Sequence, residues 1–415
     1  MGGSLDARAE LSVDTAQRLV RAAVQAPSRR ERVALRAALG RVLAQDLLVS
    51  NDIPPFDTAA MDGYACAAAE LDAGGNADLR LAGSALAGHR HVGSVPPGCC
   101  LRIMTGAPLP AGCDTVVPHE QCIDDGVRVM LRGARPGAHC RKRGEDLACG
   151  AVALGAGSRL GAAELGLAAA MGCRELRVWR RPRVALLSSG DELRAPGQAL
   201  GDDGIYDSNR EILAALATRC GAEVVDLGCV PDRVDALRDA LLQASAGADL
   251  VLTSGGVGGG DADHLRAACA DLGDVAFWQL AMRPGRPLAF GRIGQGPRAA
   301  LLFGLPGNPV ALMVAFYVMV RDALLRLGGE QPRELPRLRA LAQTPLRKRA
   351  GRVEFQRARI ARLANGGWGA WSTGAQGSAQ LRSMIDADGL LVLPAAQGDL
   401  RIGDPVEFIA FEGLA

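Results

Sequence analysis

From residue 181 to residue 328 short apolar runs alternate with segments of helical periodicity, and few folds accept a chain patterned that way. The runs at 184–187, 223–226, 250–253, 275–280 and 299–303 read as buried strands. Segments 209–220, 234–246, 264–270 and 310–327 read as the intervening helices. A strand, a helix and a second strand in succession form a crossover rather than a hairpin, which makes neighbouring strands parallel and sends helices to both faces of the sheet. The expectation is a three-layer α/β domain with a mostly parallel sheet. Ligands of such sheets bind beyond the carboxyl ends of the strands, so the loops at those ends are where chemistry is sought.

Three loops stand at such ends. Residues 254–263, SGGVGGGDAD, place five glycines and two aspartates between a strand and a helix start. Backbone N–H groups free of side chains can converge on an anion there, whereas Asp261 and Asp263 would repel a bare phosphate unless Mg2+ bridged them. A tight turn, with Asp263 capping the next helix, explains the same residues without a ligand. In GLPGNP, 304–309, Asn308 as N-cap and Pro309 at the first helical position serve as helix punctuation. SSGDEL, 188–193, offers Asp191 and Glu192 either as metal ligands or as solvated loop acids.

Further motifs flank these loops. In IYDSNRE, Ser208 and Glu211 fit a capping box, which leaves Asp207 as the functional candidate. MDGYA, 61–65, taken alone is a plain Asp-Gly hairpin turn. Arg283 and Arg286, on the Pro-Gly turn of AMRPGRP, can clamp an oxyanion bidentately or stand as solvated charge. Neither G-x-G-x-x-G nor a P-loop lysine is present, which disfavours dinucleotide oxidoreductases and P-loop NTPases.

Outside 181–328 the pattern changes. Apolar residues recur at helical spacing from Ala16 to Val24, with Asp14 and Gln17 as start signals and Pro27 as a stop, and 30–39 repeats the helical pattern. From Asn51 extended segments broken by Pro and Gly form a β-rich insert, and helix returns at 161–171. From Pro332 the chain is again β-like. The expected division is a helical linker and dimerisation domain in two pieces (1–50 and 145–180), the insert (51–144), the α/β domain (181–328) and a β-barrel-like C-terminal domain (329–415). A chain of 415 residues has room for about three or four domains.

Composition narrows the partners. Forty-seven Lys and Arg against 45 Asp and Glu leave a net charge of +2, too balanced to imply a polyanionic partner. Segment 331–382 holds 11 basic residues but few aromatics to interleave with them, so nucleic acid is not expected. Eleven cysteines without a C-x-x-C pair argue against disulfide frameworks and zinc ribbons. The N-terminal segment lacks the apolar stretch of a signal peptide, and the longest apolar run, 310–320, is 11 residues, short of a membrane span. A cytoplasmic protein is expected.

In this order the motifs PPFDTAAMDGYA (54–65), RIMTGAPLP (102–110), KRGEDL (142–147), SSGDEL, IYDSNR, SGGVGGGDAD, MRPGRPLAFG (282–291), GLPGNP, EFQRA (354–358) and GAQGSAQLRSM (374–384) resemble one family closely. It is the molybdopterin molybdenumtransferases, molybdenum-insertion enzymes related to the E domain of gephyrin. The resemblance implies a homodimer of four-domain subunits whose site lies between the α/β domain of one subunit and the insert of the other. It implies Mg2+ as cofactor, adenylylated molybdopterin and molybdate as substrates, and AMP as a product. A molybdopterin adenylyltransferase would stand upstream and apo-molybdoenzymes downstream.

Carried over by motif, Asp62, Thr105, Asp146, Glu192 and Asp263 are implied as catalytic, and Glu192, Asp207, Asp261 and Asp263 as metal-holding. Ser189, Gly190, Asp207, Asp232, Gly255, Gly256, Gly260, Pro306, Gly307, Asn308 and Pro309 are implied to bind the pterin nucleotide. Arg283, Arg286, Arg352, Ser378 and Ser383 are expected around the oxyanion. Family members usually carry Lys where this chain has Gln279, Arg283 and Arg286, and Ser where it has Gly258 and Ala311. Those departures fall on the molybdate subsite, and they leave open a catalytically weak or inactive pterin-binding scaffold as the alternative.

Overall fold

The structure, a computed structural model, describes residues 10–257, 264–296, 299–332 and 334–413. Its central sheet has six strands in the spatial order Glu223–Val230, Arg183–Ser189, Leu250–Ser254, Ala300–Leu305, Pro287–Ile293 and Gly273–Gln279. The first four are mutually parallel, Pro287–Ile293 runs antiparallel to them, and Gly273–Gln279, antiparallel to Pro287–Ile293, again shares their direction. Strand Pro287–Ile293 is absent from the sequence expectation, because its apolar residues follow the Arg-Pro-Gly-Arg turn and read as part of it.

The alternation of side chains explains why these strands are apolar throughout. Val184, Leu186, Leu250, Leu252, Leu301 and Phe303 face one layer with helices Ser208–Arg219 and Pro309–Ala315. Ala185, Leu187, Val251, Ala300 and Leu302 face the other, against helices Val234–Gly247 and His264–Cys269. Both faces are therefore dry, as in parallel sheets generally. The helix expected at 310–327 is continuous in course but contains a π-helical stretch, Phe316–Val320, between α-helices Pro309–Ala315 and Arg321–Leu327.

The N-terminal region departs from expectation in three ways. Helix Val13–Ala23 starts at Ser12, whose side chain accepts from the Thr15 N–H, two residues before the predicted cap Asp14. Its buried Val13, Ala16 and Val20 pack on the α/β core, so this helix belongs physically to that layer and not to the linker domain. Segment 30–39 is not a helix. Arg30–Ala34 is a strand paired antiparallel with Glu175–Trp179, and only the four residues Leu35–Ala38 turn as a 3-10 helix. Pairing with a distant strand overrides the local helical preference.

The rest of the linker domain holds the pair Leu47–Leu48 with Val152–Leu154 and the helix Ala162–Ala170. The insert is a six-stranded, mainly antiparallel sheet closed over Tyr64, Cys66, Leu79, Cys100, Val117 and Val129. Its thiols are free, and burial pushes those of Cys66 and Cys100 up to about 12, which makes them inert packing groups. Among the described residues no His, Cys, Asp and Glu cluster could hold a metal by itself.

In the C-terminal region Leu338–Ala342, Val353–Arg362, Trp368–Ser372, Gly389–Leu393 and Pro405–Ala410 close into a five-stranded barrel. One side of its wall, Phe355, Leu390, Val392 and Ile409, joins the core shared by the α/β domain and the first helix. The short strand Met282–Arg283 pairs with Val353 and Glu354, which brings the Arg283 turn to the barrel. No described helix is long and apolar enough to cross a membrane.

Candidate active site

A cavity of about 710 Å³ opens at the carboxyl ends of the parallel strands. Ser189, Gly190 and Glu192 enter it from the end of Arg183–Ser189, Gly255 and Gly256 from the end of Leu250–Ser254, and Pro306, Gly307 and Asn308 from the end of Ala300–Leu305. Arg283 stands on a further wall, with Gln376, Gly377 and Ser378 of a barrel loop opposite the sheet. A groove of about 730 Å³ in the linker domain, between Arg32, Asp46 and Arg177, is as large but gathers no strand-end loops.

Close backbone contact holds the walls together. Gly255 adopts φ +95° and donates its N–H to the Leu305 carbonyl at 3.1 Å. A Cβ there would lie 2.7 Å from the Ser189 carbonyl oxygen, so only glycine fits. The Ser189 hydroxyl donates to Asp232 Oδ1 at 2.8 Å, which orients that carboxylate. Glu192 is exposed, and its carboxylate lies over Gly190, where a Cβ would approach Oε2 to 2.7 Å. The lining thus combines two carboxylates, one guanidinium and side-chain-free backbone, a set suited to an anionic ligand with an accompanying cation.

Three family models match in register with these regions: "MoeA N-terminal region (domain I and II)" over residues 11–172, "Probable molybdopterin binding domain" over 185–326, and "MoeA C-terminal region (domain IV)" over 339–411. The molybdopterin molybdenumtransferase of Haemophilus influenzae is 35% identical over 407 residues, 97% of this chain and 99% of that one. This chain belongs to the molybdopterin molybdenumtransferase family. Molybdopterin molybdenumtransferase 1 of Mycobacterium tuberculosis is 34% identical over 97% of the chain and 100% of its own length, and gephyrin of Dictyostelium discoideum is 31% identical over 91% of the chain and 59% of its own. The crystal structure of a molybdopterin biosynthesis moeA protein from Pyrococcus horikoshii superposes with a TM-score of 0.83 at 26% identity, covering 97% of this chain and 100% of that one.

Within this family member the pocket gathers Ser189, Gly190, Glu192, Asp232, Gly255, Gly256, Arg283, Pro306, Gly307, Asn308 and Ser378 of the sequence-derived set. Gly258, Gly260, Asp261 and Asp263 lie outside the described residues. Asp207 is buried, 1% exposed; its Oδ2 accepts from the Ser188 hydroxyl at 2.5 Å and its Oδ1 from the Arg210 N–H. It is the N-cap of helix Ser208–Arg219, one residue before the expected cap Ser208, and each of its oxygens accepts a hydrogen bond within the fold. Asn308 occupies the N-cap position without a side-chain cap bond, and Pro309 follows at the first helical position.

The arginines divide differently from expectation. Arg286 and Arg352 both pair with Glu10: Arg286 Nη2 lies 2.9 Å from Oε1, Arg352 Nε donates to Oε2 at 2.8 Å, and Arg352 Nη2 also meets Oε1. These guanidiniums hold the Glu10 carboxyl below its ordinary value, Arg352 most strongly. Arg283 has no acidic partner among the described residues and alone of the three lines the cavity. Ser383 is buried, accepting from Arg357 Nε at 3.0 Å and donating to the Gln380 carbonyl, and it does not line the cavity.

Arg357, fully buried, also donates to the Ala375 and Gly377 carbonyls, while its own N–H donates to Gln376 Oε1. It is the post on which the barrel loop at the pocket hangs. In the sequence nothing marks Arg357 of EFQRA out from Arg352, since periodicity does not tell an inward arginine from an outward one. Glu10, Gln376 and Asn209 were missed for the same reason.

The insert residues form a separate group. The Asp62 carboxylate accepts from the Thr105 backbone N–H at 2.7 Å and hydroxyl at 2.6 Å, and the hydroxyl bond chiefly holds it below its ordinary value. Asp62 precedes strand Gly63–Cys66 and is not a hairpin turn, because Gly63 sits in the sheet where a Cβ would collide with the Val117 carbonyl. Asp62, Thr105 and Asp146 are all exposed, and none lines the cavity of the same chain.

Proposed function

We propose that the protein acts in molybdenum cofactor biosynthesis, inserting molybdate into adenylylated molybdopterin with release of AMP. The observation that carries this reading is the cavity itself: glycine-walled strand ends, the carboxylates of Glu192 and Asp232, and Arg283, which has no acidic partner among the described residues, meet in one space large enough for a pterin nucleotide. Backbone without side chains lets phosphate oxygens approach the loops at Gly255, Gly256 and Gly307. Arg283 offers the charge for the incoming oxyanion, and the Ser378 hydroxyl lines the barrel side.

Two carboxylates are too few for an all-protein cage, but Mg2+ is commonly held by one or two carboxylates together with substrate phosphates, so the donor set fits it. Glu192 and Asp232 would hold the ion, with Ser189 fixing the orientation of Asp232. When bound, Mg2+ neutralises charge on the phosphoanhydride oxygens during cleavage. In this reading the protein is a homodimer, and the second subunit's insert brings Asp62, Thr105 and Asp146 to the cavity. A molybdopterin adenylyltransferase would supply the substrate and apo-molybdoenzymes would receive the product.

The decisive experiment incubates the pure protein with adenylylated molybdopterin, Mg2+ and molybdate and measures AMP release. Glu192→Gln should lower that release by about 100-fold or more, the usual scale for removing one charge-stabilising group; undiminished turnover would take Glu192 out of the site. Ala311 puts a methyl group in the cavity wall and favours a second reading, a pterin-binding relative without efficient turnover. Tight substrate binding with no AMP at any molybdate concentration would establish that second reading over the first.

A further inference from the structure

Beneath the cavity floor lies a layer of buried polar side chains that none of the roles above uses. Asn209, 9% exposed, directs Nδ2 to two acceptors, the Ser254 hydroxyl oxygen at 2.8 Å and the Gly307 carbonyl at 2.6 Å. Because the Gly307 carbonyl can only accept, the amide orientation is fixed: Nδ2 must face it. Its Oδ1 is buried without a partner among the described residues, so the side chain is held by its donors alone.

The two acceptors belong to different walls. Ser254 ends strand Leu250–Ser254 and is followed by Gly255 and Gly256, whereas Gly307 belongs to the loop after Ala300–Leu305. These loops touch, since a Cβ on Gly307 would lie 3.9 Å from Gly255 Cα. Two residues before Asn209, Asp207 takes the Ser188 hydroxyl at 2.5 Å, directly behind Ser189 of the third wall. One helical turn thus reaches all three strand ends that frame the cavity.

We propose that Asn209 is a positioning residue that sets the spacing between the Gly255–Gly256 and Pro306–Asn308 walls through its two-way Nδ2 bond. A pair of glycine loops has no side chains with which to fix its own separation, and a single amide nitrogen whose two hydrogens go to the two walls does so. The inference deepens the proposed pterin-nucleotide site and rests on it only for the kinetic arm of its test.

The test is Asn209→Asp, which keeps the shape but removes the donor to Gly307, while Ser254 can still donate to the new carboxylate. In the ligand-free full-length protein, hydrogen exchange at the amides of 304, 305, 307 and 308 should rise about tenfold, the scale of one lost buried hydrogen bond, with amides 273–279 at the far sheet edge unchanged. With adenylylated molybdopterin, KM should rise by a similar factor while kcat at saturation stays within about threefold. Unchanged exchange at 304–308, or an equal rise across the sheet, overturns the proposal. Ser254→Ala is the second variant: it should loosen amides 254–257 and spare 304–308, and loosening of both or neither also overturns it. If the native protein neither binds nor turns over the nucleotide, the functional reading fails while the exchange result still judges Asn209.

Discussion

At the scale of single residues the insert carboxylate Asp62 shows how far local hydrogen bonding sets chemistry. Its carboxyl sits below the ordinary range chiefly because the Thr105 hydroxyl donates to it, with the Thr105 backbone N–H adding to the effect. A carboxylate with a lowered value in the fold contributes stability above the ordinary carboxylate range and loses that contribution as pH falls through the lowered value. Thr105→Val removes the stronger bond and should move the Asp62 titration upward, which carboxyl-carbon NMR would read directly. A titration that does not move would show that the backbone N–H suffices. Arg357 shows the other side of the same physics: a guanidinium with no hydrogen-bonded carboxylate among the described residues stays buried because the Ser383 hydroxyl and two loop carbonyls accept its hydrogen bonds.

At the scale of elements, the cavity walls depend on strand ends that approach more closely than side chains allow. Gly255 combines a left-handed φ of +95° with the Ser189 carbonyl 2.7 Å from where a Cβ would stand. Gly255→Ala should therefore cost about 1 to 3 kcal/mol by denaturant titration, and nucleotide affinity should fall with it as the two loops part. Stability equal to that of the native protein would mean that the loops shift to absorb the methyl group.

At the scale of the whole molecule, Glu10 ties together three distant parts of the chain. Leu11 donates its N–H to the Gln279 carbonyl and accepts from Ala281, while Glu10 itself holds Arg286 of the turn and Arg352 at the start of the long barrel strand. Glu10→Gln should weaken the docking of barrel on α/β domain by no more than about 1 kcal/mol, since the arginines are half exposed. Limited proteolysis near residues 345–352 would detect the loosening. The Glu10 carboxyl is held low, mainly by Arg352, so in the native protein the tie is present above the ordinary glutamate range and is released as pH falls through the lowered value. The Gln variant should show the released behaviour at every pH; identical proteolysis of the two proteins at neutral pH would count against the tie.

The sequence by itself determined the alternation of strand and helix from 181 to 328, the loops at the strand ends and the family motifs they carry, because buried parallel strands must be apolar throughout and glycine loops must lack side chains. It placed Ser189, Glu192, Gly255 and Gly307 at one site for that reason. Only the tertiary structure decided which charged groups remain available there. Arg283, Arg286 and Arg352 look alike in one dimension, yet Glu10 takes two of them and leaves one, and Asp207 proves to cap a helix and to accept from the Ser188 hydroxyl. Apart from the local cap bond, these pairings join residues 19 to 342 positions apart, and local periodicity carries no trace of them.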